Sequence, residues 1–588
     1  MTGKVAELQN VIRPDNLANS IIYLYDAWRR QRKPWVEENL ELRNFIFATD
    51  TTKTTNQNLP WKNSTTLPKL TQIRDNLHAN YMSALFPNDD WLKWEAYTLD
   101  GAEQEKKEAI QAYMSNKTRE SNFQTTVSQL VLDYIDYGNA FADSIFVNES
   151  REDPVTGEPI PGYIGPKAVR ISPLDHVINP TATSYENSPK FTRSVKTLGE
   201  LKVDAEDFAD HSHFEDAIKK SETARDMAVN RDGLYTIEDF EKASGYSIDG
   251  FGDLKEYYQS PFVEIIEIEG DIHDPVTGIL LRNHVITIID RAHVIRKEPI
   301  PSWLGKSSKA HVGWRLRPDN LYAMGPLHNL VGMQYRIDHL ENLKADVFDL
   351  IAFPPLKIKG EVEEFDWAPG AEIHIDEEGD VEMLVPDTTA LNADNQIALL
   401  EQRMEEFAGA PKQAMGVRTP GEKTAFEVQA LENAAGRIFQ EKITNFEINL
   451  LEPLLNSMLE TSRRNMDGGD VVRVMDDDLG VEKFRAITRE DITAKGKIRP
   501  VGARHFAARA QLMQNLQGVF SSPMGQTIAP HISPKALAKL VEDTMGLNRF
   551  ALVQDNVAVM EAAETQRLMG QIQEDLQVES ETPLDEDV

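Results

Sequence analysis

The sequence predicts a helix-rich α+β protein of several packed units, and three observations lead to that prediction. The chain has 588 residues, 41% hydrophobic and 27% charged, which is typical of a globular protein too long for one ordinary core. Apolar residues recur at steps of three and four in residues 1–145 and again after residue 325, which indicates helices with one buried face. Across residues 142–324 the period shifts toward two and β-branched residues accumulate, which indicates strands.

The N-terminal region is predicted to be helical with polar loops. The first helix has an apolar face formed by Leu17, Ile21, Leu24, Tyr25 and Trp28. A polar stretch at 49–66 predicts a long loop. The second helix follows Pro68, with a stripe formed by Leu70, Ile73, Leu77, Tyr81 and Leu85. A third helix is predicted from Gln129 to Phe141, with Gly138 near its end.

The β-rich region contains four segments that are predicted to be strands: FADSIFVN, VRISPLDHVI, VEIIEIEG and HVITIIDRAHVI. The pentapeptide Asp-Pro-Val-Thr-Gly occurs at 153–157 and at 274–278. Because Pro presets φ and Gly accepts the left-handed region, both copies predict hairpin turns. An acidic segment at about 196–255 is predicted to be an exposed helical insert.

Residues 325–465 show a distinctive order of elements. A helix over 325–352 is predicted to end before Pro354-Pro355, and a small acidic β-like insert follows at 353–390. A second helix over 391–409 has an apolar seam formed by Leu391, Ile397, Leu400, Met404 and Phe407. A loop at 410–423 leads into a helix over 424–465, which would be roughly 60 Å long and kinked at Pro453. Its stripe is formed by Val428, Leu431, Ala435, Ile438, Phe446, Leu450, Leu454 and Met458.

The remaining residues predict strands, helices and a charged end. Short strands are expected over 466–502, helices over 503–577, and a disordered acidic tail over 578–588. The sequence has no cysteine, so disulfides and thiol chemistry are excluded. It predicts neither a signal peptide nor a membrane span, which would need about 18 consecutive apolar residues.

The charge of the chain argues against tight binding of nucleic acid. With 62 Lys and Arg against 95 Asp and Glu, the formal charge is −33. A protein that grips DNA by neutralising phosphates normally has the opposite balance. The chain therefore either does not meet nucleic acid, meets it at a few basic points, or lets it slide past.

The motifs of catalysis and metal binding are incomplete. In the segment from Gly416 to Thr424, Glu422 stands between Gly421 and Lys423, where a phosphate-binding loop needs Gly followed directly by Lys. The fragment Gly305–Ser308 lacks the first glycine of that motif and is predicted to be a loop. His211 and His213 lie in an acidic helix, where two histidines usually bind nothing. The sequence therefore predicts no catalytic residue, no metal and no cofactor.

The loop at 410–423 concentrates basic residues between glycines and prolines. Lys412, Arg418 and Lys423 are its basic residues, and Gln413 lies beside Lys412. In an isolated chain this pattern is typical of an ordinary helix–helix connection. In a symmetric ring the same residues would form rings of positive charge in a channel.

Several stretches resemble the portal proteins of tailed bacteriophages. They include GPLHNLVGMQYRIDHLENLKADVFDLIAFPPLKIKG, APKQAMGVRTPGEKTAFEVQALENAAGRIFQEKITNFEINLLEPLLNSMLE, TLPKLTQIRDNLHANYMSALFPNDDW, DYGNAFA and RISPLDHVINPTA. The order helix, β insert, helix, loop, long helix also resembles the stem, clip, stem, tunnel loop and wing-to-crown helix of that family. The resemblance touches most of the chain up to about residue 520.

The resemblance implies a portal fold that forms a closed ring, normally a dodecamer, at one capsid vertex of the virion. Residues 1–324 would form the wing, 325–352 and 391–409 the stem, 353–390 the clip, 410–423 the tunnel loop and 503–577 the crown. Its expected partners are further copies of the chain, the terminase large subunit, head-to-tail adaptor or tail proteins, major capsid and scaffolding proteins, and double-stranded DNA. Assembly in the host cytoplasm is also expected.

In such a ring the acidic charge is consistent with DNA transport. Twelve copies would carry roughly −400 formal charges, which would repel DNA and prevent salt-sensitive binding that stalls it. Lys412, Gln413, Arg418 and Lys423 would contact phosphates transiently. In the clip, Lys357 and Lys359 are expected to pair with acidic residues of a neighbouring subunit rather than with DNA; these are Glu361, Glu363 and Glu364.

Two other classes of protein compete with this interpretation. The first is another structural phage protein, a head-to-tail adaptor or an internal scaffold, against which the two-helix clip layout argues. The second is a nucleotide-driven motor or nuclease, which would need a working phosphate loop or a carboxylate metal cluster. Hydrolysis of nucleotide by the purified chain alone would favour this second class.

Overall fold

The structure is a computed structural model with mixed helix and sheet, so the predicted α+β class is confirmed. It describes residues 17–47, 63, 65–87, 91–97, 101–149, 151–152, 159–160, 162–206, 208, 214–229, 262–274, 277–359, 380–384, 388–408, 438–466, 469–476 and 481–500. The chain divides into two compact units, Met1–Gly468 with Thr488–Ala503 and Gly469–Ile487 with Arg504–Val588. In the second unit the described part is a hairpin of β16 (Asp470–Asp476) and β17 (Val481–Ile487).

The N-terminal part of the first unit is largely helical. Its elements are α1 (Leu17–Phe47), α2 (Lys69–Leu85), β1 (Leu92–Ala96), α3 (Gly101–Glu120) and α4 (Phe123–Asp136). The predicted stripe of α2 is buried at all five positions, because its apolar residues follow one helix face without interruption. In α1, Ile21 and Tyr25 are buried as predicted, whereas Leu24 is exposed, so the prediction was wrong at that position.

The third predicted helix has different bounds from those read from the sequence. Helix α4 begins at Phe123 and ends at Asp136, and residues 139–141 already belong to strand β2 (Asn139–Asn148). Gly138 separates the two elements with φ +67°, in the left-handed region that favours glycine. A Cβ on Gly138 would lie 2.3 Å from the amide nitrogen of Gly325, so only glycine permits this approach.

The β-rich region forms a five-stranded antiparallel sheet and a three-stranded sheet. The strands of this region that follow β2 are β3 (Arg151–Glu152), β4 (Pro159–Ile160), β5 (Ile164–Ile171), β6 (His176–Ile178), β7 (Lys190–Thr197), β8 (Phe262–His273), β9 (Leu280–Ile289), β10 (His293–Pro299), β11 (Ala310–Gly313), β12 (Arg315–Arg317) and β13 (Asn320–Met324). The larger sheet has the order β10-β9-β8-β7-β6, and the smaller has the order β11-β2-β5. The predicted strands FADSIFVN and VEIIEIEG lie within β2 and β8. The predictions for VRISPLDHVI and HVITIIDRAHVI were wrong in extent, because a turn at 172–175 divides the first between β5 and β6 and a turn at 290–292 divides the second between β9 and β10.

The five-stranded sheet is covered by helices on both faces. On one face Ile266, Ile268 and Ile286 pack with Ile21 and Tyr25 of α1. On the other face the alternate residues of β8 and β9 pack against α5 (Leu198–Ala205) and α6 (Phe214–Val229), which come from the acidic segment. The prediction that residues 196–255 form an exposed insert is therefore wrong for these two helices, although residues 230–255 lie outside the described residues. The average composition of the segment is acidic, so it does not reveal the few apolar residues that pack on the sheet. These are Leu201, Ala205, Phe214, Ala217 and Ile218.

The second Asp-Pro-Val-Thr-Gly segment is a hairpin turn, as predicted. The Gly278 amide donates to the Asp274 carbonyl at 2.8 Å, and Gly278 has φ +69°. Strands β8 and β9 continue from it as an antiparallel pair. Residues 153–157 lie outside the described residues, but the flanking strands β3 and β4 pair antiparallel.

Residues 325–408 form two helices with a β-hairpin between them. A 3₁₀ turn at His328–Leu330 leads into α7 (Val331–Ala352), so the α-helix begins six residues later than predicted and ends where predicted. Strands β14 (Leu356–Lys359) and β15 (Asp380–Met383) pair antiparallel. A second 3₁₀ segment, Thr388–Ala393, leads into α8 (Asp394–Ala408). In its predicted seam Ile397 and Met404 are buried, but Phe407 is exposed.

The long helix of the sequence is described from residue 438 onward. Residues 438–446 are helical, a π turn follows at Glu447–Leu451, and α9 spans Glu452–Asn465. The π turn precedes Pro453, which lacks the N–H of a regular helix, and it lies where the sequence predicts a kink. The predicted stripe is buried from Phe446 to Met458, while Ile438 is exposed, contrary to the prediction. Strand β18 (Gly496–Pro500) returns to pair with β1.

Candidate functional site

The candidate site is the assembly of α7, the β14–β15 hairpin and α8, which the sequence singles out by its order of elements. One ion pair joins α7 to α8, and a second joins α8 to α2 of the same unit. Lys344 of α7 contacts Asp394 at 2.8 Å, and the hydrogen bond to Asp394 raises the pKa of Lys344. Lys69 of α2 contacts Glu405 of α8 at 2.7 Å with both side chains buried. Breaking such a buried pair on one side typically costs about 3–5 kcal/mol.

The start of α7 is anchored to α1 by a half-buried histidine. The Gly325 amide donates to Nδ1 of His328 at 3.1 Å, so the ring proton lies on Nε2. Nε2 then donates to Oδ1 of Asn39 at 3.1 Å. Burial lowers the pKa of His328 to about 4, which keeps this neutral tautomer at physiological pH.

A row of polar side chains on α7 binds a segment that precedes α2, residues 63 and 65–67. These side chains, which we call the polar ladder, belong to Gln334, Asp338, Asn342 and Asp346. Gln334 Nε2 donates to the Leu67 carbonyl at 2.6 Å, and Asp338 Oδ1 accepts from the Leu67 amide at 3.0 Å. The ladder therefore satisfies both backbone groups of Leu67.

The same pattern is repeated further along the helix. Asn342 accepts from the Thr65 amide at 2.7 Å and donates to the Thr65 carbonyl at 2.9 Å. Asp346 accepts from the Asn63 amide at 2.8 Å and from its side chain at 2.7 Å. Four helical residues rise about 6 Å and two extended residues rise about 6.6 Å, so the two repeats match. At Leu67 and Thr65 the ladder thus binds main-chain groups, and at Asn63 it binds both the main-chain amide and the side chain.

Asp338 is the buried centre of the ladder. It is fully buried (0% exposed), and burial raises its pKa to about 7 despite hydrogen bonds from the Leu67 amide and Gln334. Its second carboxylate oxygen, Oδ2, has no hydrogen-bond partner among the residues that the structure describes. The ionised form therefore costs the folded state free energy that the protonated form does not.

The sequence reasoning missed the ladder, although a signal was present. Amide and carboxylate side chains recur at four-residue steps within a predicted helix, from Gln334 to Asp346. Such a stripe faces one direction and needs partners if it is buried. For the polar stretch at 49–66, which supplies Asn63 and Thr65 of the partner segment, the sequence predicts only a loop.

The far end of α7 and the hairpin expose apolar side chains. All six residues from Phe348 to Phe353 are exposed, with Phe348 at 51% and Phe353 at 70%. The exposed large apolar residues of this region are Tyr335, Leu343, Phe348, Leu350, Ile351, Phe353, Ile358, Met383, Leu384, Leu399 and Phe407. Concentrated exposure of this kind marks an interaction surface, because water contact with apolar groups is unfavourable.

The clip residues predicted from the sequence are partly described. Lys357 and Glu382 are opposite each other in the β14–β15 register, and their side chains form an exposed ion pair at 2.9 Å. Lys357 thus has a partner in its own chain, whereas the sequence analysis expected one in a neighbouring subunit. Lys359 is exposed opposite Asp380. Glu361, Glu363 and Glu364 lie outside the described residues.

The predicted channel residues Lys412, Gln413, Arg418 and Lys423 all lie outside the described residues, as do His211 and His213. The fragment at Gly305–Ser308 is a loop whose groups bond within the chain: Lys306 pairs with Glu186, and the Ser307 hydroxyl donates to Glu269. Within the ranges given above, no cluster of three or more His, Asp or Glu side chains could hold a metal ion. Nor does any helix of those ranges have the length and apolar character needed to cross a membrane.

No protein-family model matches the chain, and no curated protein matches it.

Proposed function

We propose that this chain is the portal protein of a tailed bacteriophage, a ring-forming structural subunit that conducts double-stranded DNA and has no catalytic site. The observation that carries the proposal is the helix–hairpin–helix arrangement of α7, β14–β15 and α8, with apolar side chains exposed at the end of α7. In a closed ring each subunit meets its neighbour through two different surfaces. Packing α7 beside a neighbouring subunit would remove Phe348 and Phe353 from water.

The charge of the chain supports transport rather than tight binding of DNA. Exposed acidic residues, such as Glu406 of α8, contribute to the formal charge of −33. A largely acidic channel would repel phosphates and allow the duplex to slide. Lys412, Gln413, Arg418 and Lys423 would supply transient, sequence-independent contacts.

The proposal also assigns partners to the parts of the chain. The hairpin would dock the terminase large subunit during packaging and head-to-tail adaptor or tail proteins afterwards. Major capsid and scaffolding proteins would contact the ring at one vertex of the virion, after assembly in the host cytoplasm. A dodecamer is the expected stoichiometry.

Electron microscopy of the purified protein with class averaging tests the proposal. We expect closed rings of about twelve subunits with a channel wide enough for duplex DNA. The variant Phe353→Asp should lose rings, because it places a charge in the subunit contact. The matched control is Tyr23→Asp on α1, the same kind of change at a side chain that is 66% exposed, and it should leave rings intact. A filled oligomer without a channel would contradict the proposal.

The DNA role of the basic loop has a separate test. Replacing Lys412, Arg418 and Lys423 together by Gln should leave rings intact and alter DNA packaging or retention. Each phosphate contact contributes about −0.9 to the slope of log affinity against log salt concentration for duplex DNA. Unchanged packaging and retention in the triple variant would refute the role of these residues without refuting the ring.

A further inference from the structure

A cavity of about 250 Å³ lies between α1, α2, α4 and strand β5. It is lined by three arginines and two aspartates, together with apolar and amide side chains. The charged residues of the lining are Arg43, Arg74, Arg170, Asp133 and Asp136. Their formal sum is one positive charge, in a protein whose net charge is −33. The cavity is thus a local basic site in an acidic molecule.

Two aspartate–arginine pairs form the floor of the cavity. Arg170 holds Asp133 with two hydrogen bonds, of 2.5 and 2.6 Å. Arg74 holds Asp136 in the same bidentate way, at 2.7 and 2.8 Å. The two pairs differ in access, because the Arg170 side chain is 33% exposed whereas the Arg74 side chain is 13% exposed. A ligand can therefore reach Arg170 from solvent.

The third arginine of the cavity lining is Arg43 of α1. Arg43 donates to the hydroxyl of Tyr137 at 3.2 Å, and its guanidinium lies 5.6 Å from the ring centre of Phe47. Arg74 lies 5.2 Å from the same ring centre. Planar guanidinium groups hold oxyanions through paired N–H donors, which is the geometry that carboxylate, phosphate and sulfate groups require.

We propose that this cavity binds a small oxyanion-bearing ligand, whose carboxylate, phosphate or sulfate group replaces the Asp133 carboxylate on Arg170 while Asp133 takes up a proton. The exchange leaves Arg170 with a bidentate partner and leaves no unpaired charge in the interior. Without the proton, the displaced carboxylate would be a buried ion with no counter-ion, which is strongly unfavourable. Proton uptake and anion binding are therefore linked.

The surroundings of Asp133 make that proton available near neutral pH. Burial raises the pKa of Asp133 to about 7, although the hydrogen bond and charge of Arg170 on β5 act in the opposite direction. The charge of Asp136 on the same helix raises the pKa of Asp133 further, and the charge of Arg74 on α2 lowers this pKa. Arg43 on α1 and Tyr137 complete the groups that face this end of the cavity. The first proton taken up near pH 7 is thus expected at Asp133.

The size of the cavity limits the ligand. Pockets for drug-sized molecules are typically about 300–1,000 Å³. A cavity of about 250 Å³ suits a single oxyanion group with a few further atoms. Leu42, Ile46 and Leu132 would contact the non-polar part of such a ligand.

Isothermal titration calorimetry of the full-length protein tests the proposal with two probes, sulfate and succinate. Sulfate keeps the same charge between about pH 6 and pH 8.5, so any change in its affinity comes from the protein. We expect sulfate affinity to fall about tenfold for each pH unit above 7, as Asp133 must be protonated at increasing cost. Stronger binding of sulfate than of succinate would identify a tetrahedral oxyanion as the preferred group. Stronger binding of succinate would identify a carboxylate.

Two variants make the test specific. Asp133→Asn imitates the protonated residue, so it should bind sulfate with the pH dependence removed. The double variant Asp133→Asn with Arg170→Gln removes the anion donor without leaving a buried charge, and it should not bind. The control Arg499→Gln makes the same arginine change at an exposed pair with Glu95 and should bind as the natural chain does. Absence of binding in the natural chain, pH-independent binding, or retained binding in the double variant would each overturn the proposal.

Discussion

The substitution Asp338→Asn should make the polar ladder more stable at neutral and alkaline pH. The pKa of Asp338 is about 7 in the folded protein, against an ordinary value of about 3.9 for aspartate. Because the folded-state pKa is raised, the stability that Asp338 contributes is complete below about pH 4 and is lost as the pH rises to 7. The difference between the two pKa values corresponds to roughly 4 kcal/mol at high pH.

The expected net gain is smaller than this penalty. In the variant the Asn oxygen still accepts from the Leu67 amide and from Gln334. Its NH₂ group, however, takes the place of Oδ2, which has no partner, and an unpaired buried donor costs about 1–3 kcal/mol. We therefore expect a gain of about 2 kcal/mol near pH 8 and a small loss near pH 4.

Hydrogen exchange measured by mass spectrometry suits this prediction, because it reports local opening free energy in a protein of several units. Peptides that cover Leu67 and the first three turns of α7 should be better protected in the variant at pH 8, after correction for intrinsic exchange rates. The control is Asp319→Asn, the same substitution at an exposed aspartate between β12 and β13, which should change protection by less than about 0.5 kcal/mol. Equal effects of Asp338→Asn at pH 4 and pH 8 would refute the assignment of a raised pKa.

Two further substitutions test the contacts that position α7 and α8. Gly138→Ala should destabilise the first unit by several kcal/mol and lower the yield of soluble protein. The added Cβ would lie 2.3 Å from the amide nitrogen of Gly325, at a backbone φ of +67° that favours glycine. An unchanged melting temperature would contradict this close approach. Lys69→Met should cost about 3–5 kcal/mol by leaving Glu405 without its lysine, and Lys69→Met with Glu405→Met should recover most of that loss. Thermal unfolding of the single and double variants measures the difference, and equal losses in both would contradict a buried pair.

The sequence predicts the buried face of a helix correctly where the residues that cover this face belong to the same chain. All five stripe residues of α2 are buried, because neighbouring elements of the same subunit cover that face. Ile438 and Phe407 follow the same helical steps but are exposed. Periodicity shows which residues share a face of a helix; it does not show whether any residue of the same chain covers that face.

The acidic insert and the ladder were missed for a related reason. In α5 and α6 a few apolar residues are enough to cover a sheet face, so the average composition gave the wrong prediction. In the ladder the informative residues are polar, and their meaning depends on a segment about 270 positions earlier in the chain. A pattern in one element cannot identify its partner when the contact is made through the partner's backbone, because backbone groups are the same at every residue.

The two halves of α7 are stabilised by different means, and this bears on assembly. Its first half is held by His328, by the ladder and by residues 63 and 65–67, all within the chain. Its last turn, from Phe348 onward, is exposed and, apart from Asp349, apolar. A short helical turn has little stability of its own in water, so most helical stability comes from packing. In the proposed ring, the end of α7 that leads into the hairpin would gain its packing from a neighbouring subunit, and the order of the hairpin would then be coupled to assembly.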